Sequence, residues 1–239
     1  MPLSVSVPEQ GEVFRDLEAI ASMPRYYDWK AALVEKYLGR RILEVGCGTG
    51  LLMERLAGRE LLLGVDRNAE CIRRARLRLE GRAGVELVEM DALSPGFSSL
   101  ARFNPDTVVF VNTLETIPDD RQAVQHAGVV LKPGGTLVVL ASAMPGLAGE
   151  LDRSHGQRRY TRPELCSLLE SGGFRVETAR FVNLLGMFGW WLDSRVRETK
   201  AMSPAAYRSR DRLVPLARLL DAVTGPPRGS ILLAVGVRE

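Results

Sequence analysis

The chain has 239 residues and an ordinary globular composition, with 46% hydrophobic residues, which is enough for the core of one large α/β domain. Its formal net charge of +3 lacks the strong basic bias of a dedicated nucleic-acid binder, so nucleic acid is not an expected partner. The three cysteines show neither a disulfide framework nor zinc-ligand spacing. This excludes small domains stabilised by disulfides or by zinc, and it favours a reducing cytoplasm.

The N-terminal part predicts helices rather than a targeting segment. The first ten residues carry neither a basic n-region nor an apolar core, so we expect no signal peptide. Apolar residues recur at helical spacing from about Gln10 to Leu38, and Pro24 separates two stretches. The aromatic junction between them, residues 23–29, is open to two interpretations: packing between helices, or a flap over a ligand.

The segment Ile42–Gly50, with the sequence ILEVGCGTG, predicts a buried strand, a glycine turn and the start of a helix. Its aliphatic residues suit a strand that is covered on both faces. Glycines tolerate positive φ and allow a ligand to approach the backbone. Thr49 is placed to cap a helix that continues through LLMERLA, where free amide groups favour an electron-rich ligand.

The glycine spacing separates two kinds of nucleotide site. A dinucleotide fingerprint needs G-x-G-x-x-G, and its third glycine position is Leu51 here. The sequence instead reads G-x-G-x-G after an acid, which resembles motif I of the class I S-adenosylmethionine (SAM) methyltransferases. The resemblance implies that SAM contacts the turn and the acid before it: Glu44, Gly46, Cys47, Gly48 and Gly50.

Acidic residues end the next two predicted strands. Asp66 closes LLLGVD, 20 residues after Gly46, and resembles motif II, whose acid accepts hydrogen bonds from both ribose hydroxyls; such a contact is worth ~2–3 kcal/mol. We include the adjacent Arg67 in the expected cofactor site. The stretch 85–94 predicts a third strand that ends at Asp91 and Ala92. The resemblance implies that Asp91 accepts a hydrogen bond from the adenine amino group and that the Ala92 amide meets a ring nitrogen.

The fourth and fifth predicted strands complete the pattern. The stretch 105–120 resembles motif IV, in which the backbone of Asn112 is expected to contact SAM, although Thr116 stands where the family pattern has His. Glu115 in this loop is expected to be structural. The N/D-P-P-Y/F tetrapeptide of many amino-methylating nucleic-acid enzymes is absent from this strand end. LKPGG, residues 131–135, then resembles the family's turn before its fifth strand.

The repeated strand–helix order predicts an α/β fold with right-handed crossovers and a parallel sheet. The resemblance implies that the sheet is doubly wound, seven-stranded and mostly parallel, which is the Rossmann-like methyltransferase fold. The resemblance implies that the last strand is antiparallel and that SAM lies across the carboxyl ends of the strands. We expect a single domain, 1–239, with an N-terminal helical cap over 1–39 and a SAM-binding core over 40–141. A helical lid, 183–229, is expected before the last strand, because connections of this length are uncommon in compact domains.

The later part of the chain points to the acceptor. Residues 155–181 resemble a subgroup of small-molecule methyltransferases, in which this loop lines the substrate mouth, and Thr161 with Glu164 predicts a capping box. Trp190 and Trp191 in the insertion are open to two roles, packing or pocket. As pocket residues they would indicate an apolar or aromatic acceptor.

Methyl transfer from a sulfonium needs alignment and a dry cavity, and we predict no metal. A hydroxyl acceptor usually needs a base, for which His155 is our candidate. Arg159 and Tyr160 follow it and are expected to bind the acceptor. At the other end of the chain, Tyr26, with Arg25 as a second choice, is expected to touch the methionine end of SAM, as the resemblance implies.

Three functions remain open from the sequence. The first is methyl transfer to a small, partly apolar acceptor at oxygen, which leaves S-adenosylhomocysteine. The second is methylation of RNA or protein, and the third is SAM binding without catalysis. We expect a cytoplasmic protein with no membrane span and a small-molecule acceptor as its partner, and the lid is compatible with a homodimer interface.

Overall fold

The computed structural model describes residues 21–56, 58–154, 156–193 and 203–239. The predicted catalytic residue His155, the first part of the predicted N-terminal cap and residues 194–202 of the predicted lid lie outside these ranges.

A seven-stranded sheet in the order β3-β2-β1-β4-β5-β7-β6 forms the centre of the fold. Neighbouring strands are parallel except β7, which runs antiparallel to β5 and to β6. The predicted seven-stranded sheet with an inserted antiparallel last strand is therefore confirmed. The strands are β1 Arg41–Val45, β2 Leu61–Asp66, β3 Val85–Glu89, β4 Thr107–Val111, β5 Thr136–Ser142, β6 Phe174–Val182 and β7 Ile231–Arg238.

Helices cover both faces of this sheet and one end of it. Short 3-10 segments span Met53–Arg55, Pro95–Phe103, Leu114–Thr116 and Pro145–Leu147. The α-helices are α1 Pro24–Glu35, α2 Ala69–Arg78, α3 Asp120–Val130, α4 Glu150–Ser154, α5 Arg162–Ser171, α6 Leu184–Trp191 and α7 Pro204–Thr224. Two of the crossovers between parallel strands thus contain 3-10 segments where the strand–helix pattern predicted α-helices.

The turn after β1 departs from the predicted helix. The chain forms only the 3-10 segment Met53–Arg55 in the stretch that was expected to be helical. Leu51, Leu52, Met53 and Leu56 are all buried, and four apolar side chains this close in sequence do not fit on one face of an α-helix. A turn at Leu51 and Leu52, followed by the 3-10 segment, leaves all four side chains in the core.

Two local predictions near strand and helix ends have different outcomes. The capping box of α5 is confirmed, because Thr161 Oγ1 accepts from the Glu164 amide while the Glu164 carboxylate accepts from the Thr161 amide. The third strand is shorter than predicted: β3 ends at Glu89, and Asp91 lies in the loop beyond it. This places Asp91 past the edge of the sheet, where a loop residue can face a ligand.

The strand order places a switch point between β1 and β4, where the chain moves to the other half of the sheet. Ligands of doubly wound sheets bind at such a point, outside the carboxyl ends of the strands. Val45 and Phe110 near these two strand ends are buried to 2% and 0% exposure, so the polar loops that follow them stand on a rigid base.

Helix α7, which lies late in the chain, holds the start of α1, which lies early. Asp211 Oδ1 accepts a hydrogen bond from the Tyr26 amide at 2.9 Å, and Oδ2 accepts from the Arg25 amide at 3.4 Å. Met23, at the N-cap position, provides no side-chain cap. A carboxylate at a helix N-terminus satisfies free amide groups and complements the helix dipole. The predicted N-terminal cap and lid segments are therefore joined.

Candidate functional site

A cavity of about 1060 Å³ opens at the carboxyl ends of the strands, near the switch point. This volume is at the upper end of the ~300–1,000 Å³ that small-molecule sites occupy. Its lining comes from the loops after β1, β2, β3 and β4 on one side and from α1, α6 and α7 on the other. The cavity is therefore large enough for two adjoining ligands.

The glycine turn after β1 forms the floor of the strand-side half. Gly46, Gly48 and Gly50 have φ values of +73°, +51° and +78°, a region that other residues rarely adopt. A Cβ atom on Gly46 would lie 2.2 Å from the Thr113 side chain, so only glycine fits between the two loops. Gly46 and Gly48 line the cavity, and their backbone is available to a ligand.

Asp66 joins the end of β2 to the glycine turn. Its carboxylate accepts hydrogen bonds from the Gly48 amide and from the Asn68 amide, each at 2.9 Å. Burial raises the pKa of Asp66, and these two backbone hydrogen bonds oppose the rise. The carboxylate is thus fixed in orientation while it lines the cavity.

Asp91 opens into the same cavity as Asp66. The Asp91 charge is close enough to add to the rise in the pKa of Asp66. Asp91 Oδ1 accepts from the Leu93 amide at 2.8 Å, which fixes the loop after β3. Two carboxylates on adjacent strand ends therefore face one space, as a site for a ligand that donates hydrogen bonds at two places would require.

The loop after β4 contributes a strained residue at the switch point. Asn112 has a φ of +52°, a left-handed conformation that is uncommon outside glycine and is found at functional sites. Its Nδ2 donates to Glu115 Oε1 at 2.9 Å, and its buried Oδ1 has no partner among the described residues. Glu115 Oε1 also accepts from the amide and hydroxyl of Ser142, so Glu115 fixes this loop to β5.

Glu44 on β1 is the acid that precedes the glycine turn. It is 5% exposed and lines the cavity, and its Oε2 has no hydrogen-bond partner among the described residues. Burial, with the nearby Asp66 charge, raises the pKa of Glu44 to about 8. An unpaired polar atom in such a place costs free energy unless a ligand satisfies it.

Helix α1 forms the opposite wall of the cavity. Tyr26, Tyr27, Trp29 and Lys30 all line the cavity. The Lys30 ammonium lies 4.5 Å from the Tyr26 ring centroid and 4.6 Å from that of Tyr27, within the range of cation–π attraction. Burial raises the pKa of both tyrosines well above the usual range, so both stay neutral at physiological pH.

A buried ion pair attaches helix α6 to the core. Arg159 Nε donates to Asp152 Oδ1 at 2.9 Å, and the two side chains are 3% and 1% exposed. Trp190 on α6 donates from Nε1 to Asp152 Oδ2 at 3.2 Å and stacks against the Arg159 guanidinium at 4.6 Å from its ring centroid. Arg159 and Trp190 both line the cavity, so this network shapes the helical half.

The structure brings most of the predicted site residues together. The predicted cofactor residues that line the cavity are Tyr26, Glu44, Gly46, Cys47, Gly48, Asp66, Arg67, Asp91, Ala92 and Asn112. Gly50 is outside the lining because it packs against α2, where a Cβ atom would lie 3.2 Å from Leu79 and 3.3 Å from Ala75.

Two predicted acceptor residues lie elsewhere. Tyr160 is buried, and its hydroxyl lies 2.8 Å from Asp120 Oδ2 and 3.2 Å from the Leu114 carbonyl oxygen, so it connects the core and lies outside the cavity lining. Trp191 is 50% exposed and also lies outside the lining, because adjacent residues on a helix point about 100° apart and Trp190 takes the inward position.

Lys30 and Tyr27 were not predicted from the sequence. The sequence contains a weak indication of their position, namely helical spacing. Lys30 lies four residues after Tyr26, three after Tyr27 and four before the buried Val34, which places it on the apolar face of α1. His126 is half-buried, since it stacks on Phe97 and its Nδ1 lies 2.8 Å from the Ala92 carbonyl oxygen.

The described ranges contain neither a metal-binding cluster nor a membrane-spanning helix. No cluster of three or more His, Cys, Asp or Glu side chains there is arranged to hold a metal ion. None of the helices in those ranges combines the length and the apolar character that crossing a bilayer requires.

Comparison with known proteins agrees with this geometry. Residues 42–135 match the family described as "Methyltransferase domain". A ubiquinone biosynthesis O-methyltransferase of Erwinia tasmaniensis is 32% identical over 114 residues, which cover 47% of this chain and 46% of that protein. The chain spans about half the length of the curated relatives that it matches first.

Solved structures show the same fold at low identity. The geranyl diphosphate C-methyltransferase of Streptomyces coelicolor has a TM-score of 0.60 at 15% identity, with 88% of this chain and 78% of that chain covered. The [4+2]-cyclase SpnF has a TM-score of 0.59 at 19% identity, with 88% and 81% covered. The family match and the fold confirm the predicted class and, with it, the predicted cofactor.

Proposed function

We propose that this chain, which carries a class I SAM-dependent methyltransferase domain, methylates a small, partly apolar acceptor at a hydroxyl oxygen. The observation that carries the proposal is the single cavity that joins the strand-end carboxylates to an aromatic helical wall. When it is bound, SAM supplies an electrophilic methyl group on a positively charged sulfur. The chain's task is then to position the acceptor, exclude water and remove one proton.

The strand-side half of the cavity suits the cofactor's hydrogen-bond donors. SAM has an ammonium group, two ribose hydroxyls and an adenine amino group. Asp66 and Asp91 offer acceptors at neighbouring strand ends, and Glu44 Oε2 and Asn112 Oδ1 are buried acceptors without partners among the described residues. We assign the ribose to Asp66 and the adenine to Asp91, with the cofactor's ammonium toward Glu44.

The helical half is our candidate acceptor site. Trp29, Leu185, Trp190 and Val214 give it an apolar and aromatic surface, and Arg159 adds one buried cation. Such a lining favours an aromatic or apolar small molecule. The relatives of this chain include proteins named ubiquinone biosynthesis O-methyltransferase, which supports oxygen as the acceptor atom.

The predicted organisation enters this proposal as working assignments. Residues 1–39 act as a cap, 40–141 hold the cofactor and 183–229 form a lid over the acceptor. We propose a cytoplasmic enzyme with no nucleic-acid partner. A second copy of the chain would cover Phe188 and Trp191, which are 57% and 50% exposed, and light scattering after gel filtration would detect such a dimer.

Two alternatives, methylation of RNA or protein and SAM binding without catalysis, can be separated from the proposal by two assays. Calorimetry with S-adenosylhomocysteine tests cofactor binding, and a transfer assay with tritium-labelled SAM on small-molecule extracts and on total RNA tests the acceptor class. Label in the small-molecule fraction supports the proposal, whereas label in RNA or protein contradicts it. Binding without transfer to any fraction would favour a non-methylating role, and the similar fold of SpnF, which is named a [4+2]-cyclase, illustrates that one fold can carry different functions.

The remaining requirement is a group that removes the hydroxyl proton. The sequence predicts His155, and His155→Ala with near wild-type turnover would rule out an essential base there. Within the described part of the cavity, the helical wall offers a second group, the amine of Lys30.

A further inference from the structure

Lys30 is a lysine buried beside two tyrosine rings. It is 4% exposed and lines the cavity. Within the described ranges no carboxylate lies at salt-bridge distance from its Nζ, which instead faces the rings of Tyr26 and Tyr27. Burying an unpaired ammonium costs several kcal/mol, so a lysine at this place needs a reason that packing alone does not give.

We propose that Lys30 Nζ receives the proton of the acceptor hydroxyl and that its setting selects an acceptor that carries a phenol. This inference rests on the proposed function and names the substrate class of the same site. Three observations carry it: Lys30 lines the cavity, its Nζ faces two tyrosine rings, and no carboxylate of the described residues lies at salt-bridge distance from it.

The electrostatic setting of Lys30 suits proton exchange near neutral pH. Burial lowers the pKa of Lys30 from 10.5 to about 8, while the Glu115 and Glu44 charges oppose this shift. A base is most effective when its pKa lies near the working pH. A phenol, with an ordinary pKa of ~10, is acidic enough to lose its proton to such an amine, whereas an aliphatic alcohol is far less acidic.

Several charged or titratable groups surround this amine and the two tyrosines beside it. Tyr26 and Tyr27 remain neutral, so they are hydrogen-bonding groups rather than bases. The groups on the surrounding elements are Glu44 on β1, Glu115 after β4, Arg55 beside Tyr27, Arg159 beside Tyr26, and Asp211 on α7. Among the cavity carboxylates, Glu44 lies toward the cofactor side, next to Asp66.

The proposed step balances within the cavity. The O–H bond of the phenol breaks, and its electron pair stays on oxygen as a phenolate. The proton forms a new N–H bond with the lone pair of neutral Lys30, which becomes an ammonium ion and pairs with the phenolate. After the methylated product leaves, the ammonium returns its proton to water. No oxidant, reductant or metal enters the step.

An absorbance titration tests this step without turnover. The probe is 4-nitrophenol, whose phenolate absorbs visible light, added to protein saturated with S-adenosylhomocysteine and titrated from pH 5 to 9. We expect the bound probe to ionise at a pH at least one unit lower than the free probe, because the Lys30 ammonium stabilises its phenolate. The control Lys36→Met removes an exposed lysine from the C-terminal end of the same helix, also stacked on a tyrosine, and should keep the shift.

The variants separate the possible outcomes. In Lys30→Met the shift should disappear; a shift that persists there, or a probe that does not bind the wild type, overturns the inference. Lys30→Arg keeps the charge but cannot accept a proton at these pH values, so it should keep the shift and lose methyl transfer to the probe by ~10²-fold or more. Full transfer by Lys30→Arg would contradict the role of a base.

Two further readouts keep this test separate from the proposed function. Calorimetry with S-adenosylhomocysteine should give the same affinity for the wild type and Lys30→Met, which also shows that the variant is folded. If this ligand fails to bind the wild type, the proposed function fails; if it binds but the probe shift is absent, only the assignment of Lys30 fails.

Discussion

The two halves of the cavity are built in opposite ways. The strand-side half uses loops at the ends of four parallel strands, all within a short part of the chain that matches the methyltransferase family over 42–135. The helical half combines α1, α6 and α7, which come from before and after that part. A local pattern therefore specifies the proposed cofactor site, while the proposed acceptor site depends on contacts between distant segments.

The halves also differ in how they treat charge. On the strand side, the carboxylate of Asp66 is fixed by two backbone amide groups. On the helical side, Lys30 is buried beside aromatic rings without a salt bridge in the described ranges. The first arrangement stabilises its charged group with hydrogen bonds, whereas the second keeps a charged group at a cost in stability, as active sites often do.

The largest expected effect is an increase in the free energy of unfolding when the charge of Lys30 is removed. The pKa of Lys30 is about 8 in the folded protein and ordinarily 10.5, so between these values the unfolded chain binds more protons and stability rises with pH. Below pH 8 Lys30 is charged in the folded protein, and its burial then lowers the free energy of unfolding by at most about 3 kcal/mol. Lys30→Met should therefore raise the free energy of unfolding at pH 7, measured by denaturant titration.

The pH dependence sharpens this test. The gain from Lys30→Met should shrink as the pH approaches 10.5, and the exposed control Lys36→Met should change stability by less than about 0.5 kcal/mol. A loss of stability in Lys30→Met at pH 7 would show that the lysine is a structural residue, and would remove the contrast between the two halves.

The next effect concerns the strand-side half alone. Asp66→Ala removes a carboxylate that is expected to grip both ribose hydroxyls, so the affinity for S-adenosylhomocysteine should fall by about 2–3 kcal/mol, measured by calorimetry. Glu89→Gln changes an exposed acid that is paired with Asp66 across β2 and β3, outside the cavity lining, and should leave this affinity within about twofold. Equal losses in both variants would mean a general charge effect.

A smaller effect distinguishes two adjacent tryptophans on α6. Trp190→Ala removes the ring that stacks on Arg159 and the donor to Asp152, so the KM for the acceptor should rise about tenfold. Trp191→Ala should have little effect on KM, because the structure places Trp191 outside the cavity. Steady-state kinetics with the acceptor would check both, and a larger effect at Trp191 would restore the sequence-based assignment.

The smallest effect measures the link between the cap and lid segments. Asp211→Ala removes the acceptor for the first amides of α1, and the loss of a helix cap costs about 1 kcal/mol, seen as a lower Tm. Asp28→Ala breaks an exposed ion pair with Arg55 and should cost less than about 0.5 kcal/mol. A larger loss from Asp28→Ala than from Asp211→Ala would contradict the proposed coupling.

The sequence predicted the parts of the fold that depend on local pattern. Strand β2 was predicted with its observed ends, and the capping box of α5 was predicted from two residues three apart. The prediction of a helix after the glycine turn was wrong, because the burial of Met53 and its neighbours outweighs the helix-favouring composition of this stretch. Local propensity is a weak guide where the core decides the backbone.

The helical half was predicted less well for a physical reason. The network of Asp152, Arg159 and Trp190 connects a loop to an inserted helix, and no local spacing in the sequence predicts these contacts. Tyr160 resembled an acceptor residue by position, yet its hydroxyl bonds within the core. Lys30 was not predicted from the sequence, because its burial in the cavity wall is visible only in the folded structure.

The most direct test of the central claim is the Tm of the protein with and without S-adenosylhomocysteine. If Asp66 and Asp91 bind one adenosyl group in one cavity, S-adenosylhomocysteine at about 100 times its Kd should increase the free energy of unfolding by about 2.7 kcal/mol. The Tm should then rise by about 5–10 °C. The rise at that same concentration should be smaller in Asp66→Ala and in Asp91→Ala. An unchanged Tm at saturating concentration, or a full rise in both variants, would contradict the account.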